Sequence, residues 1–175
     1  HELAHGLVCK HFGGRCHELG VMFLVFVPCL YCDVSDAWMM PNKWHRIAVT
    51  AAGMWVELVL ASLCTFLWWF SDPGLLNTLA LNTMFVGSLS TVLFNGNPLL
   101  RYDGYYILAD LLETPNLWQQ SRDYLRGIPR RWLLGVRRYD DLRWNDSPRV
   151  VLAVYGVLSI IYRWMVLVAI FWFLF

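Results

Sequence analysis

Apolar positions along this chain gather in three long runs and one short one, with polar punctuation between them. Residues 47–70 are almost wholly apolar, interrupted by Glu57 and a few small polar groups. That length satisfies the roughly 20 residues a helix needs to cross a bilayer. The segment 71–74 (SDPG) places Pro73 and Gly74 at a tight turn. Residues 75–94 follow as a second span, so the two runs predict antiparallel membrane helices. A third span is predicted over 150–175, with Arg163 inside it. The short run, 21–27, is β-branched and aromatic and too brief to cross as a helix. With the following VPCLYC it predicts a short β-hairpin, placed at the membrane edge.

The remaining segments connect these runs. Residues 1–12 (HELAHGLVCKHF) predict a helix stopped by Gly13 and Gly14. Residues 33–46 form a polar connector, and 95–104 (NGNPLLRYDG) break helical periodicity. A short helix is predicted over 105–113, with Pro115 beyond it as a stop. Residues 119–149 carry eight arginines against four aspartates and predict a loop of soluble character. By the positive-inside rule this loop faces the cytoplasm. Counting back through the spans puts the 71–74 turn outside, and the 33–46 connector, the N-terminal motif and 95–104 inside. No internal repeat or low-complexity tract appears.

Composition sharpens this picture. Hydrophobic residues make up 58% of the 175 positions and charged residues 15%, against about 25% charged in ordinary globular chains. The fold class expected is therefore a polytopic α-helical membrane protein of about three transmembrane helices, a motif helix truncated at its start, and the hairpin. The net charge of +1 excludes little by itself. The arginine loop, partly balanced by aspartate and without a recognised module, fits lipid headgroups or a cytoplasmic partner and argues against nucleic acid. The cysteines at 9, 16, 29, 32 and 64 include one C-x-x-C, Cys29 and Cys32. A zinc site from Cys16, His17, Cys29 and Cys32 has suitable donors, but no second C-x-x-C pair supports it. Small apolar thiols are the reading adopted.

The chain opens on His1-Glu2-Leu3-Ala4-His5, without Met and without a helix leading in, as expected of a domain whose upstream residues lie outside this sequence. In H-E-x-x-H the two histidines share one helix face and can bind one Zn²⁺. The intervening glutamate lies near the metal, where it can take a proton from a zinc-held water of lowered pKa. With five histidines and four glutamates in 175 residues, chance gives roughly 0.003 such matches. Two histidines leave a third protein ligand to be found, and Asp103, Glu57, His17, Asp33 and Asp36 are the candidates. His11, His17 and His45 otherwise suit ordinary polar or interfacial roles.

The pairing of His1-Glu2-x-x-His5 with Asn95-x-x-Pro98-x-x-x-x-Asp103-Gly104, flanking membrane helices, resembles the site-2 protease family of intramembrane zinc metalloproteases. The resemblance covers roughly residues 1–110. It implies His1, His5 and Asp103 as zinc ligands, Glu2 as catalytic base, and Asn95 as a residue that orients substrate or stabilises the oxyanion. An A-G-P-x-x-N element of many relatives corresponds here to Ala52-Gly53-Met54-Trp55-Val56-Glu57, with Met for Pro and Glu for Asn. Glu57 could hold the substrate strand, support the zinc ligands, or pair with Arg163.

These expectations divide the chain into a metalloprotease membrane core at 1–118, an arginine-rich cytoplasmic loop at 119–149 and a C-terminal transmembrane helix at 150–175. The implied activity is zinc-dependent hydrolysis of a peptide bond within or near the membrane. The implied partners are the lipid bilayer, a membrane-embedded or membrane-proximal peptide and, from the export-associated branch of the family, a secretion adaptor. The implied location is the cell membrane, with the active site toward the cytoplasm. The competing expectation is a non-proteolytic transport or secretion subunit that keeps the metal fold as scaffold.

Overall fold

A computed structural model of the chain describes residues 1–24, 27–134 and 149–174. Two compact units emerge, His1–Leu111 and Leu112–Phe175.

The first unit opens with α1 (Glu2–His11), whose end is closed by two hydrogen bonds, Gly13 N–H to the Lys10 carbonyl and Gly14 N–H to that of Cys9. Strands β1 (Leu19–Leu24) and β2 (Val27–Cys32) pair antiparallel, with Leu19 opposite Cys32 and Leu24 opposite Val27. Positions 25 and 26 of the expected apolar run lie outside the described residues. A 3₁₀ turn (Ser35–Met39) then leads to α2 (Lys43–Phe70). This helix begins upstream of the hydropathic run at 47 because Asn42 caps it, its side chain accepting from Trp44 N–H at 2.9 Å. Hydropathy marks the greasy part of a helix, whereas capping chemistry marks its start.

Asn77 ties the 71–74 turn together. It donates to the Trp68 carbonyl at 2.8 Å and to the Ser71 carbonyl at 3.2 Å, satisfying the terminal carbonyls of α2 from within the next helix. That next helix, α3 (Leu75–Ser90), packs along α2 and continues as one π turn over Thr91–Asn95. The irregular stretch 96–102 ends at α4 (Asp103–Leu111), which returns to α2. Cys9, Ala37, Met40 and Val49 form a small core joining α1, the 3₁₀ turn and α2, and Phe12 stacks on His45 at 4.3 Å. Beneath that core the Arg46 guanidinium donates to Asp110 at 2.7 Å and to the Met40 carbonyl at 2.9 Å, fixing α4 against α2.

The second unit consists of α5 (Leu117–Leu134) packed on α6 (Arg149–Leu174). The segment expected as an arginine loop is thus helical through Leu134. Its arginines conceal apolar positions that face α6, with Leu117 and Leu152 fully buried. The rest of that segment, 135–148, lies outside the described residues, as does Phe175.

Among the described residues, three helices are long and apolar enough to cross a membrane: Lys43–Phe70, Leu75–Asn95 and Arg149–Phe173. Their flanks expose large apolar side chains, among them Phe70 at 80% and Trp172 at 85%. Apolar surface on that scale is unfavourable in water. The protein is a helical membrane-type chain with a small two-stranded sheet, as the hydrophobic pattern predicts.

Candidate metal centre

Helix α1 places His1 and His5 one turn apart, with ring centroids 4.7 Å from each other. Asp103, at the first turn of α4, comes to them from roughly a hundred residues away. Its Oδ2 lies 3.0 Å from His1 Nε2 and 3.5 Å from His5 Nε2. The three donor atoms all lie within 4.8 Å of one another. Tetrahedral zinc with bonds near 2.0–2.1 Å sets its ligand atoms about 3.3 Å apart. The set therefore has the spacing a zinc ion needs.

The remaining nitrogens are committed elsewhere. His5 Nδ1 donates to the Val49 carbonyl at 2.8 Å, and His1 Nδ1 sits 2.9 Å from Glu57 Oε1. Each imidazole is thereby turned so that Nε2 faces Asp103, the outer-shell arrangement that orients metal-binding histidines. His1 Nδ1 and Asp103 Oδ2 are buried, yet neither makes a well-aligned hydrogen bond, despite charged neighbours at these short distances. Of these two atoms, Asp103 Oδ2 is the one that faces both Nε2 atoms, and it stands there as an unsatisfied acceptor. Neutral imidazole and carboxylate donors that converge in this way fit Zn²⁺.

Electrostatics agree with the geometry. The Asp103 carboxylate at its Nε2 raises the pKa of His1 above 6.5, against the opposing effect of burial. For His5 burial is the largest influence and lowers the value, but Asp103 and the Val49 carbonyl outweigh it and leave it raised. Burial would push the Asp103 carboxyl up, yet the two imidazoles hold it at about 2.

The α2 backbone must come very close to make this possible. A Cβ at Gly53 would lie 2.5 Å from His5 Nε2 and 2.6 Å from His1 Cε1. Gly104 is held as tightly, since a Cβ there would meet the Gly96 carbonyl oxygen at 2.6 Å. The N-G and D-G pairs thus let the start of α4 rest on backbone and bring Asp103 into place.

Glu2 lines the same cavity, of about 320 Å³, as His1, His5 and Asp103. Asn95 does not line it. Its side-chain amide donates to Glu57 Oε2 at 3.2 Å, and Thr91 Oγ1 donates to the same oxygen. Glu57 is accordingly held from three sides, by His1, Thr91 and Asn95. The π turn that carries Thr91 and Asn95 is the sort of helix irregularity that accompanies functional sites.

Other candidates go elsewhere. His17 pairs with Asp36 at 2.8 Å, and Asp33 accepts from the Ser35 N–H at 3.0 Å. Cys16 Sγ approaches Cys32 Sγ at 3.1 Å, but neither joins a metal-type cluster among the described residues. Cys9 is buried as expected of a small apolar thiol, whereas Cys16 is exposed. Sequence reasoning missed Gly53 as a contact to both histidines, and the Arg46–Asp110 pair. The element Ala52-Gly53-Met54-Trp55-Val56-Glu57 carried the signal for the first, but no short-range signal marks an ion pair whose partners stand 64 residues apart.

Comparison with known proteins gives a distant relationship. The chain is similar to a Bacillus subtilis (strain 168) protein named "Putative peptide zinc metalloprotease protein YydH", at 28% identity over 136 residues. The match takes in 77% of this chain and 49% of that protein, so the chain spans about half the length of the curated relative it matches. No family model matches the chain. No solved structure matches it either.

Proposed function

We propose that this chain carries the core of a zinc-dependent endopeptidase, of the site-2 protease kind, that hydrolyses peptide bonds within or beside the membrane. One observation carries the reading: His1, His5 and Asp103 converge beside Glu2, in a unit that includes two helices of membrane-spanning length. The distant relative named as a zinc metalloprotease supports the reaction class.

His1 Nε2, His5 Nε2 and an Asp103 carboxylate oxygen would hold the ion. Zinc, when bound, supplies a Lewis acid that polarises a carbonyl and acidifies water. Glu2 removes the proton from the attacking water and passes it to the departing amine nitrogen, acting first as base and then as acid. His5 and His1 keep their donor atoms in place through Val49 and Glu57. Asn95 donates to Glu57 and so acts on the site by holding that carboxylate. A cleft of about 490 Å³ between α2 and α3, lined by Leu60, Ala61, Val86 and Gly87, reaches Glu57 and His1. It suits an extended apolar segment, since a helical substrate shields its own peptide bonds. The site lies toward the cytoplasmic side under the positive-inside rule.

The test is cleavage of a single-pass membrane peptide reporter by the reconstituted chain and by Glu2→Gln, with zinc measured on both. Both proteins are expected to hold zinc, and Glu2→Gln to lose at least about a hundredfold in rate. Undiminished cleavage by Glu2→Gln would overturn the role of Glu2. A zinc-loaded wild type inert toward every such reporter would favour the scaffold subunit instead.

A further inference from the structure

The second unit holds a cavity of about 550 Å³ between α5 and α6, and its lining divides into a cationic end and an apolar one. Arg122, Arg126 and Arg163 supply the cationic end. The guanidinium carbons of Arg122 and Arg163 each lie 5.1 Å from the centre of the Trp118 ring. Two like charges thus gather on one indole, and none of the three arginines forms an ion pair with a carboxylate among the described residues. Asp123 is on the same helix but pairs with none of them. Arg163 interrupts a helix long and apolar enough to span a bilayer, where an unpaired cation is costly and marks a functional position.

A second, independent feature points into the same space. Ser121 lines the cavity, is 1% exposed, and its Oγ has no hydrogen-bond partner. Buried hydroxyls normally find a partner. Here the ligand would provide it.

The apolar end fixes what sort of anion fits. Ile160, Trp164 and Leu167 continue the cavity along α6, and from Trp164 to Phe173 no residue is buried. That stretch forms a continuous apolar wall about 15 Å long at 1.5 Å per residue. A soluble anion has no use for such a wall, whereas an acyl chain does.

We propose that this cavity binds one anionic glycerophospholipid, its phosphate held by Arg122, Arg126 and Arg163 with Ser121 as a further donor, and an acyl chain laid along Ile160 and Leu167. Basic pockets between membrane helices are a recurring way to capture such headgroups. The site is separate from the metal centre and does not depend on the proposed protease activity.

The full chain, purified in nonionic detergent, is titrated with phosphatidylglycerol or phosphatidylcholine, and retained lipid is counted by native mass spectrometry. One phosphatidylglycerol per chain is expected, in preference to phosphatidylcholine. Arg122→Gln/Arg163→Gln should weaken its binding by more than about tenfold. Ile160→Trp, which fills the apolar end without altering charge, should weaken it as well and serves if the double variant loses its helical circular dichroism. Equal retention of the two lipids, or undiminished affinity in a folded variant, overturns the proposal. Displacement of the lipid by inorganic phosphate at comparable concentration also overturns it, assigning the cavity to a free anion.

Discussion

Glu57 lies midway along α2 and Arg163 midway along α6, both in helices of membrane-spanning length, and they are treated in opposite ways. Glu57 is gripped by His1, Thr91 and Asn95, so its charge is spent within its own unit. Arg163 meets an indole face and no carboxylate among the described residues. A carboxylate so surrounded supports other groups, here the ring nitrogen behind a proposed zinc ligand. A guanidinium left over an indole and beside an open cavity is available to something that arrives from outside. Burial and partner count therefore separate a positioning charge from a recruiting one. The expectation that these two residues pair with each other is unnecessary once each has an environment of its own.

The largest effect should come from the proposed zinc ligands themselves. His5→Ala removes one nitrogen from the set and should lower zinc affinity at least about a thousandfold, since structural zinc sites share some 10–16 kcal/mol among four ligands. A competition titration with a chelator reads it directly, and a change under tenfold would break the contrast at its first step. Next comes the brace beneath the site. Asp110→Ala leaves Arg46 half-buried with only the Met40 carbonyl to meet it, and should cost about 3 kcal/mol of stability in a denaturant titration in detergent. An unchanged midpoint would mean that α4 is held by other contacts.

Glu57→Gln sharpens the comparison itself. It keeps the shape and removes the charge behind His1, so zinc affinity should drop roughly 10–100-fold without vanishing, as outer-shell changes do. Arg163→Gln should leave zinc affinity untouched. Equal responses of the two variants would erase the distinction drawn between them.

The smallest effect is in pH. His1 and His5 have raised values in the metal-free protein, so protons compete with zinc from above pH 6.5 downward. Asp103, at about 2, stays ionised throughout that range. Zinc affinity should rise with pH through the neutral region, with protons released on binding. Stability of the metal-free protein should run the other way. The histidine contribution is fully present below pH 6.5 and is lost as pH rises through the raised folded values. The Asp103 contribution is present above 3.8 and fades as pH falls toward 2. Parallel slopes for metal affinity and metal-free stability would show that the imidazoles do not exchange their protons for the metal.

Much of this was legible along the chain because it depends on spacing. The three apolar runs set the membrane helices, Pro73 and Gly74 set the turn, and His1 and His5 declare themselves by standing one helical turn apart. Asp103 was legible as a candidate because D-G follows a proline in a segment that cannot stay helical. What sequence could not show depends on distance in space. Glu57 reads as a costly charge until α1 and the π turn close on it. Gly53 reads as a small residue until two imidazoles lie against it. The helix over 117–134 was hidden because its arginines mask the residues that pack on α6.

In the proposed site Asp103 completes the zinc ligands and Glu57 only supports them. Zinc per chain, measured on purified Asp103→Ala and Glu57→Ala after equilibration at a zinc concentration that saturates the wild type, separates the two roles. Near-total loss in Asp103→Ala, with most zinc retained in Glu57→Ala, is the predicted result. Full occupancy in Asp103→Ala with loss in Glu57→Ala would move the third ligand to α2 and contradict the site described above.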